Sequence, residues 1–313
     1  MKYLSKIKNG IKSRIIRIAK HFEPSKNKWS KEKLEKGVMK GYEYNFGYTF
    51  DINKPQLFTE KIQWYKIHYE FPNMENIVDK FLFKDYIKEK LGEGYTIPLY
   101  GAWTSIDQLE KDWDSLPEEI CLKSTLQSDG RCIKLIKNRS KISFESIKKE
   151  LKSWLDVKNT LINSYCRAYY HATPRILAEK YESQLNDILC DYKFFCFNGK
   201  PFCMYVAANG FDNGKTSTVY PISFYDLNWE NMGVKYGNHQ NGDFAKPAKF
   251  DQMLEIATKL SEEFPFVRVD FFETAENLYV AELTLYPGGG FTPYYPESFN
   301  KQMGDLLVLP EKK

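Results

Sequence analysis

The sequence lacks long apolar runs and the spaced cysteines that mark many secreted or zinc-binding proteins. No stretch of about 18 apolar residues occurs, so no transmembrane helix is predicted. The N-terminus is basic and has no apolar segment of about 7–15 residues, so no signal peptide is predicted. The six cysteines form no Cys-x-x-Cys pair, and only four histidines occur. We therefore expect reduced thiols in a cytoplasmic protein.

Acidic side chains are absent from residues 1–22, which carry seven basic ones. Apolar residues recur there at spacings of three and four, as in one stripe of a helix: Leu4, Ile7, Ile11, Ile15, Ile18 and Phe22. A basic amphipathic helix favours an anionic membrane surface, which predicts a peripheral protein at the inner face of the membrane. A docked helix or a solvated tail is the alternative. Nucleic acid is not expected as a partner, because few aromatics interrupt the basic residues.

The remaining sequence mixes helical and strand patterns and is rich in aromatics, with 22 Tyr and 22 Phe. Helices are predicted at about 30–40, from 59, and at 74–91, 142–155 and 250–264. Strands are predicted at 95–99, 120–124, 132–137 and 176–181, and hairpins at 191–207 and 266–285. Hairpins alongside separate helices favour an α+β fold over a doubly wound sheet.

The second predicted hairpin carries polar residues on one face. With its turn centred on Glu276, Asp270 faces Glu282 and Arg268 faces Thr284. The opposite face is apolar: Val267, Val269, Phe271, Ala281, Leu283 and Leu285. Two opposed carboxylates repel each other unless a cation lies between them, and their oxygens suit Mg²⁺. A salt-bridge network on a solvated sheet face is the alternative.

A glycine-rich segment, Tyr286-Pro-Gly-Gly-Gly-Phe-Thr-Pro293, follows this hairpin directly. Glycines at this position allow the backbone to approach a ligand closely, and a simple flexible turn is the alternative.

The order Arg-x-Asp, Glu-x-Thr and Pro-Gly resembles the final metal-binding element of the ATP-grasp superfamily, where Asn is usual at the position of Thr284. More narrowly, the chain resembles the TupA-like branch, found with teichuronopeptide and capsular polysaccharide synthesis. The residues that carry this resemblance are 57–64, 97–101, 175–179, 191–199 and 268–270, and the similarity covers about residues 55–310.

The resemblance implies an ATP-grasp fold of the α+β class, with two α+β subdomains clasping ATP and an extra N-terminal helical region. With the basic amphipathic arm placed at 1–24 by its own pattern, the predicted division continues with the helical region at 25–75, a lid subdomain at 76–182, and a core and metal-binding subdomain at 183–313.

The resemblance also implies roles for individual residues, with ATP and Mg²⁺ as cofactors. The expected nucleotide-binding residues are Lys80, Lys123, Gln127, Ser128, Gly130, Glu179, Lys180, Tyr181, Asp191 and Lys193. Among these, the residues at 127–130 would form a flap over the phosphates. Arg268 and Lys193 are the expected catalytic residues, Asp270, Glu282 and Thr284 the metal ligands, and Gly288, Gly289, Gly290 and Thr292 the acceptor border.

The implied reaction is ATP-dependent ligation of a carboxylate to an amine through an acyl phosphate. Its expected partners are a glycan or sugar-acid acceptor and an amine. Two alternatives stay open at this point. A glycosyltransferase would place paired carboxylates as Asp-x-Asp at a strand end, which no predicted strand shows. A non-catalytic nucleotide-binding protein is favoured by Thr284 and by the unusual sequence of the loop at 124–131.

Overall fold

The structure is a computed structural model that describes residues 30–72, 74–125, 132–156, 165–169, 172–182, 189–209, 211–212, 215–216 and 220–311. The predicted arm at 1–22 and the predicted flap residues Gln127, Ser128 and Gly130 lie outside the described residues. Within those ranges, no helix combines the length and the apolar character that crossing a bilayer requires.

The helices lie before, between and after the strands. In the described chain they are α1 Lys31–Phe46, α2 Phe58–His68, α3 Glu75–Val78, α4 Leu82–Leu91, α5 Ile106–Asp112, α6 Phe144–Trp154, α7 Phe250–Ser261 and α8 Glu297–Leu306. Short 3₁₀ turns include Trp113–Ser115 and Pro287–Gly290.

The described strands are β1 Leu99–Trp103, β2 Ile120–Ser124, β3 Ile133–Ile136, β4 Ile176–Lys180, β5 Leu189–Phe197, β6 Lys200–Asn209, β7 Phe211–Asp212, β8 Lys215–Thr216, β9 Ile222–Tyr225, β10 Lys235–Tyr236, β11 Phe266–Glu273, β12 Leu278–Thr284 and β13 Tyr294–Tyr295. They form a four-stranded sheet of order β1-β4-β2-β3 and a five-stranded sheet of order β12-β11-β5-β6-β9. Two-stranded pairs join β10 to β13 and β7 to β8. The α+β prediction is confirmed.

The four-stranded sheet has its own core, rich in tryptophan. Helix α6 buries one stripe at helical spacing, Phe144, Ile147, Leu151 and Trp154. These side chains belong to one cluster with Trp103, Trp113 and the inward residues of β2 and β4. This burial fixes the orientation of β2, and therefore of Lys123 on it.

The five-stranded sheet is covered differently on its two faces. On one face, Phe194 and Phe271 lie in the core near Phe250 of α7. On the other face, Phe195 and Phe266 pack against Phe58 of α2. The same face carries Lys193, Arg268 and Asp270 further along the strands, because side chains two residues apart point the same way. Helix α2 therefore covers one end of this face, next to the polar cluster.

Both predicted hairpins form. Asn198 and Gly199 connect β5 and β6 with φ of 49° and 76°, the conformation that a two-residue hairpin turn requires. In the second hairpin, Asp270 pairs with Glu282 and Arg268 with Thr284, as predicted.

Beyond Asp270, however, the register shifts by one residue, and Phe271 pairs with Val280. The bulge at Ala281 turns this residue toward a cleft between the two sheets, so its predicted place on the core face is wrong.

Two other predicted elements differ from the structure because backbone groups bond elsewhere. The strand expected at 95–99 begins at Leu99, since the carbonyl of Tyr95 accepts from the Val280 amide and that of Ile97 from Lys84 Nζ. The helix expected at 74–91 is interrupted at Asp79, whose backbone is extended. The Asp79 carboxylate accepts the Phe81 amide at 2.9 Å and Arg175 Nη1 at 2.8 Å, which ends the first helix.

Candidate active site

A cleft between the two sheets is lined by three lysines and one glutamate. Lys80 precedes α4, Lys84 lies on α4, and Lys123 and Glu179 lie on the neighbouring strands β2 and β4. Apolar contacts come from Phe83, Ile97, Val280 and Ala281. A concave surface with this excess of ammonium groups favours an anionic ligand such as a phosphate chain.

Glu179 holds two of the lysines in place. Its side chain is buried, with Oε1 2.6 Å from Lys84 Nζ and Oε2 paired with Lys123. Burial opposes the charge of Glu179, but Lys123 and Lys84 outweigh it and lower the pKa of the carboxyl below its ordinary value. Glu179 likewise overcomes the burial of Lys123 and raises the pKa of that lysine. At Lys84 burial outweighs the carboxylate and lowers the pKa of the lysine, while the two ion pairs hold both side chains at the wall of the cleft.

The second cluster is centred on Asp270, which is fully buried. Arg268 donates to both of its oxygens, through Nε and Nη2, each at 2.6 Å, and Lys193 Nζ donates to Oδ2 at 2.7 Å. Burial would raise the pKa of this carboxyl, but Arg268 and Lys193 reverse the effect and lower it. Three groups are thus locked in one buried, charge-assisted network.

Arg268 also connects to the neighbouring strands. Its Nη2 donates to Thr284 Oγ1 at 3.0 Å, and its Nη1 donates to the Tyr205 hydroxyl at 3.3 Å. Lys193 lies 3.3 Å from a carboxylate oxygen of Asp191. The predicted residues Arg268, Asp191, Lys193 and Thr284 are therefore brought together around Asp270.

Lys80 links the cleft to this cluster. Its Nζ lies 3.5 Å from Glu282 Oε1, and the two side chains are 16% and 22% exposed. Lys80 also lines the cleft beside Lys123, so cations that could contact a phosphate chain are continuous with the paired carboxylates. This continuity is the main geometric feature of the site.

The predicted metal ligands Asp270, Glu282 and Thr284 share one sheet face. In the part of the chain that the structure describes, no group of three or more His, Cys, Asp and Glu side chains forms a ready-made metal cage. Two carboxylates and a hydroxyl fit Mg²⁺ in its usual form, where water and phosphate oxygens complete the coordination. The donor set therefore suits a metal that arrives with a phosphate ligand.

The other predicted nucleotide residues lie around the end of β4. Lys180 Nζ pairs with Glu182 at 2.8 Å and its side chain is 44% exposed. Tyr181 follows it, with Lys137 Nζ 5.5 Å from the centre of its ring. The Glu179 carboxylate is engaged with the two lysines, and its expected part in nucleotide binding stays a prediction.

The glycine-rich segment forms the turn Pro287–Gly290, in which Gly288, Gly289 and Gly290 have φ of 55°, 62° and 67°. A Cβ atom on Gly288 would overlap the hydroxyl of Thr292 and lie 2.5 Å from that of Tyr236. Both the conformation and the space therefore require glycine here.

Two residues of the site were not predicted from the sequence. Lys84 lies four residues after Lys80, a spacing that could have suggested it. Tyr205 has no comparable signal, since its contact with Arg268 depends on the pairing of β5, β6 and β11.

Comparison with known protein families shows to which family the chain with this site belongs. Residues 60–308 match the sequence profile of the family described as TupA-like ATPgrasp. The chain belongs to the TupA-like ATP-grasp family. The resemblance predicted from the sequence and the ATP-grasp fold are thereby confirmed for this TupA-like protein.

Among solved structures, the TupA-like chain is distantly similar to D-alanine–D-alanine ligase from Bacillus anthracis complexed with ATP, at 14% identity and a TM-score of 0.40, covering 67% of this chain and 56% of that one. It is similar to carboxyaminoimidazole ribonucleotide synthase from Aspergillus clavatus complexed with ATP, at 14% identity and a TM-score of 0.41, covering 72% and 50%. The chain thus spans about half the length of these proteins. No curated protein sequence matches it significantly.

Proposed function

We propose that this TupA-like ATP-grasp protein is an ATP-dependent carboxylate–amine ligase. The supporting observation is the continuity of the lysine-lined cleft with the paired carboxylates through Lys80 and Glu282. A nucleotide in the cleft would direct its phosphates toward Arg268 and Asp270. Family membership supports the same assignment.

Each charged group then has a role that its position supports. Lys80 and Lys123 bind the phosphates of ATP, while Lys84 and Glu179 hold Lys123 in position. Asp270 and Glu282, with Thr284 beside them, would hold Mg²⁺. Bound Mg²⁺ supplies charge neutralisation on the phosphate oxygens.

The reaction joins a carboxylate to an amine in two displacements. A carboxylate oxygen attacks the γ-phosphorus, the bond to the bridging oxygen breaks, and ADP leaves. The amine nitrogen then attacks the acyl carbon, inorganic phosphate leaves, and the nitrogen loses a proton. Negative charge develops on phosphoryl oxygens, so the positions of Arg268 and Lys193 matter more than acid–base groups.

The proposed substrates are a glycan or sugar acid and an amine, in the synthesis of a cell-surface polysaccharide. The proposed acceptor side is the glycine turn with Thr292, because Tyr236 lies against Gly288 and packs on Tyr205, whose hydroxyl accepts from Arg268.

The alternative of a glycosyltransferase gains no support from the chain's Asp-x-Asp sequence, Asp112-Trp113-Asp114. Asp112 accepts the Trp103 indole N–H at 2.7 Å, and Asp114 pairs with Arg139 at 3.3 Å.

Binding of Mg-ATP is expected to stabilise the protein. At a ligand concentration of about 100 times the dissociation constant, the gain in unfolding free energy is about 2.7 kcal/mol. Thermal unfolding with ATP, with and without Mg²⁺, measures it, and uridine diphospho-sugars serve as the comparison. A shift with the sugar nucleotide but none with Mg-ATP would reject the ligase proposal.

We also propose that residues 1–22 hold the enzyme at an anionic membrane surface, close to lipid-linked glycan intermediates. Basic residues near such a surface contribute about 1 kcal/mol each to membrane binding, screened by salt.

Ile11→Glu is expected to reduce the fraction of protein that sediments with phosphatidylserine vesicles, because it interrupts the apolar stripe. The matched change Val308→Glu, at an apolar residue outside the arm that is 65% exposed, should not. Equal binding of all three proteins, or of none at low salt, contradicts the proposal.

A further inference from the structure

Helix α2 places a fully buried glutamine against the glycine turn. Gln63 Nε2 donates to the carbonyl of Gly290 at 2.7 Å and to that of Gly289 at 3.2 Å. A Cβ atom on Gly290 would overlap this same nitrogen and lie 2.7 Å from Ile62. The absence of a side chain at Gly290 therefore lets the turn approach α2 closely enough for both hydrogen bonds.

Lys66 fixes which way the Gln63 amide points. Its Nζ donates to Gln63 Oε1 at 3.0 Å, and both side chains are 0% exposed. An ammonium group can only donate, so the amide oxygen must face Lys66 and the amide nitrogen must face the glycine carbonyls. Donors and acceptors thus alternate from Lys66 through Gln63 to the turn.

Phe291, directly after the turn, is held by the same lysine and by α1. Lys66 Nζ lies 4.0 Å from the centre of the Phe291 ring, a cation–π contact. The ring also lies against Gly41 of α1, where a Cβ atom would be 2.9 Å from Cζ of the ring. Both ends of the segment Gly289–Phe291 are therefore attached to the N-terminal helices.

Burying a lysine without a carboxylate partner costs free energy, because its charge loses contact with water. Among the described residues Lys66 forms no ion pair with a carboxylate, and burial lowers its pKa to about 8. An apolar side chain of similar volume would pack there without the desolvation cost. The arrangement therefore serves the orientation of the turn rather than the stability of the helix pair.

We propose that Gln63 and Lys66 are positioning residues that set the conformation of the glycine turn. Through them, the N-terminal helices help to form the acceptor side of the site. This role in catalysis rests on the proposed function. The contacts themselves do not, and they can be tested separately.

Amide hydrogen exchange of the full chain tests the contacts directly. Lys66→Met keeps the volume but removes the donor, and Gln63→Glu pairs with Lys66 but turns an oxygen toward the glycine carbonyls. Both variants should accelerate exchange in residues 286–292 by about tenfold or more, because the turn loses its anchors. Affinity for Mg-ATP should stay within about twofold, since the cleft is built from other elements.

Lys61→Met is the matched control. Lys61 lies on the same helix and donates to the carbonyls of Gly304 and Leu307, at 2.7 and 2.8 Å. This variant should accelerate exchange near the end of α8 and leave residues 286–292 unchanged. Unchanged exchange of the turn in both test variants, or equal acceleration in the control, would overturn the proposal.

The pH dependence of amide exchange distinguishes a role of Lys66 in positioning the turn from a role in packing alone. Among the described residues, Cys166 is the titratable group that acts on Lys66, while the turn and α1 present uncharged Phe291 and Gly41. From about pH 7 to about pH 9.5, Lys66 becomes a neutral amine, which is a weaker donor to Gln63 Oε1, so the Gln63 amide is held less firmly against the turn. Protection of the turn, corrected for base-catalysed exchange, should fall in the wild type but not in Lys66→Met.

Over the same interval, the depressed pKa of Lys66 adds to global stability as pH rises, because the buried group no longer has to carry a charge. The two effects therefore have opposite signs, and packing alone gives only the second. If the wild type binds no Mg-ATP, the proposed function fails, and the exchange data still decide whether Gln63 and Lys66 anchor the turn.

Discussion

Asp270→Asn is expected to lower the free energy of unfolding by about 3–5 kcal/mol. Both Arg268 and Lys193 donate to Asp270, so the variant leaves buried Arg268 without an ion-pair partner among the described residues and leaves Lys193 with Asp191 alone, 3.3 Å away. Removing one member of such a network costs more than its own hydrogen bonds, because the remaining charges stay desolvated. Urea unfolding of the variant and the wild type at neutral pH gives the difference. The same dependence of unfolding free energy on urea concentration is used for both proteins.

Glu282→Gln provides the control for this loss. Glu282 is 22% exposed and its ion pair with Lys80 is long, at 3.5 Å, so its removal should cost less than about 1 kcal/mol.

The pH dependence of the stability difference between Asp270→Asn and wild type supplies a second check. The folded pKa of Asp270 is lowered, so its contribution is complete above about pH 4 and is lost as pH falls through the folded pKa. The difference between Asp270→Asn and wild type should therefore shrink in acid, and a constant difference contradicts this account.

Glu282→Gln is expected to reduce ADP formation by at least about a hundredfold while the protein stays folded. The reason is that Glu282 is the more exposed member of the carboxylate pair and lies beside Lys80, which lines the cleft. Loss of its charge removes a proposed oxygen ligand for Mg²⁺ without exposing a core. The measurement is the rate of ADP release with Mg-ATP and a panel of sugar acids and amines, at fixed enzyme concentration.

Glu93→Gln is the matched control, because Glu93 is also paired with a lysine, Lys88, but its side chain is 80% exposed. Full activity of Glu282→Gln would mean that the carboxylates form only a salt-bridge network. Equal loss in Glu93→Gln would point to a general effect of removing acidic charge. A selective loss that high Mg²⁺ partly restores is the result we expect.

Local periodicity explains why much of the candidate site could be predicted. Alternation along β11 and β12 is enough to place Arg268, Asp270, Glu282 and Thr284 on one face, and the structure pairs them in that register. The apolar residues of the other face reinforce the choice, since a slip by one residue would turn the charged side chains into the apolar core beneath α7. The bulge at Ala281 was not predictable, because neither glycine nor any change in pattern marks it.

The features that escaped prediction depend on contacts between distant segments. The interruption at Asp79 needs Arg175, which lies 96 residues away in the sequence. The pairing of Glu179 with Lys84 and Lys123 needs three elements to meet in one cleft. The attachment of Gln63 to the glycine turn spans more than 220 residues. No local pattern can encode such partners, because each residue taken alone fits a solvated surface equally well.

The hydrogen bond that the Val280 amide donates to the Tyr95 carbonyl, at 2.8 Å, has a mechanical consequence. Beside it, the Tyr279 hydroxyl donates to Glu182 at 2.9 Å, so the two sheets are joined where β12 passes the ends of β1 and β4. These bonds join the two sheets along one side, which we call the spine. Strand β3 is the edge strand of the four-stranded sheet on the side opposite β1. With strands about 4.8 Å apart, a rotation of about 10° moves that edge by roughly 2–3 Å and the spine hardly at all. The cleft can therefore widen at its rim while the residues next to the spine keep their spacing.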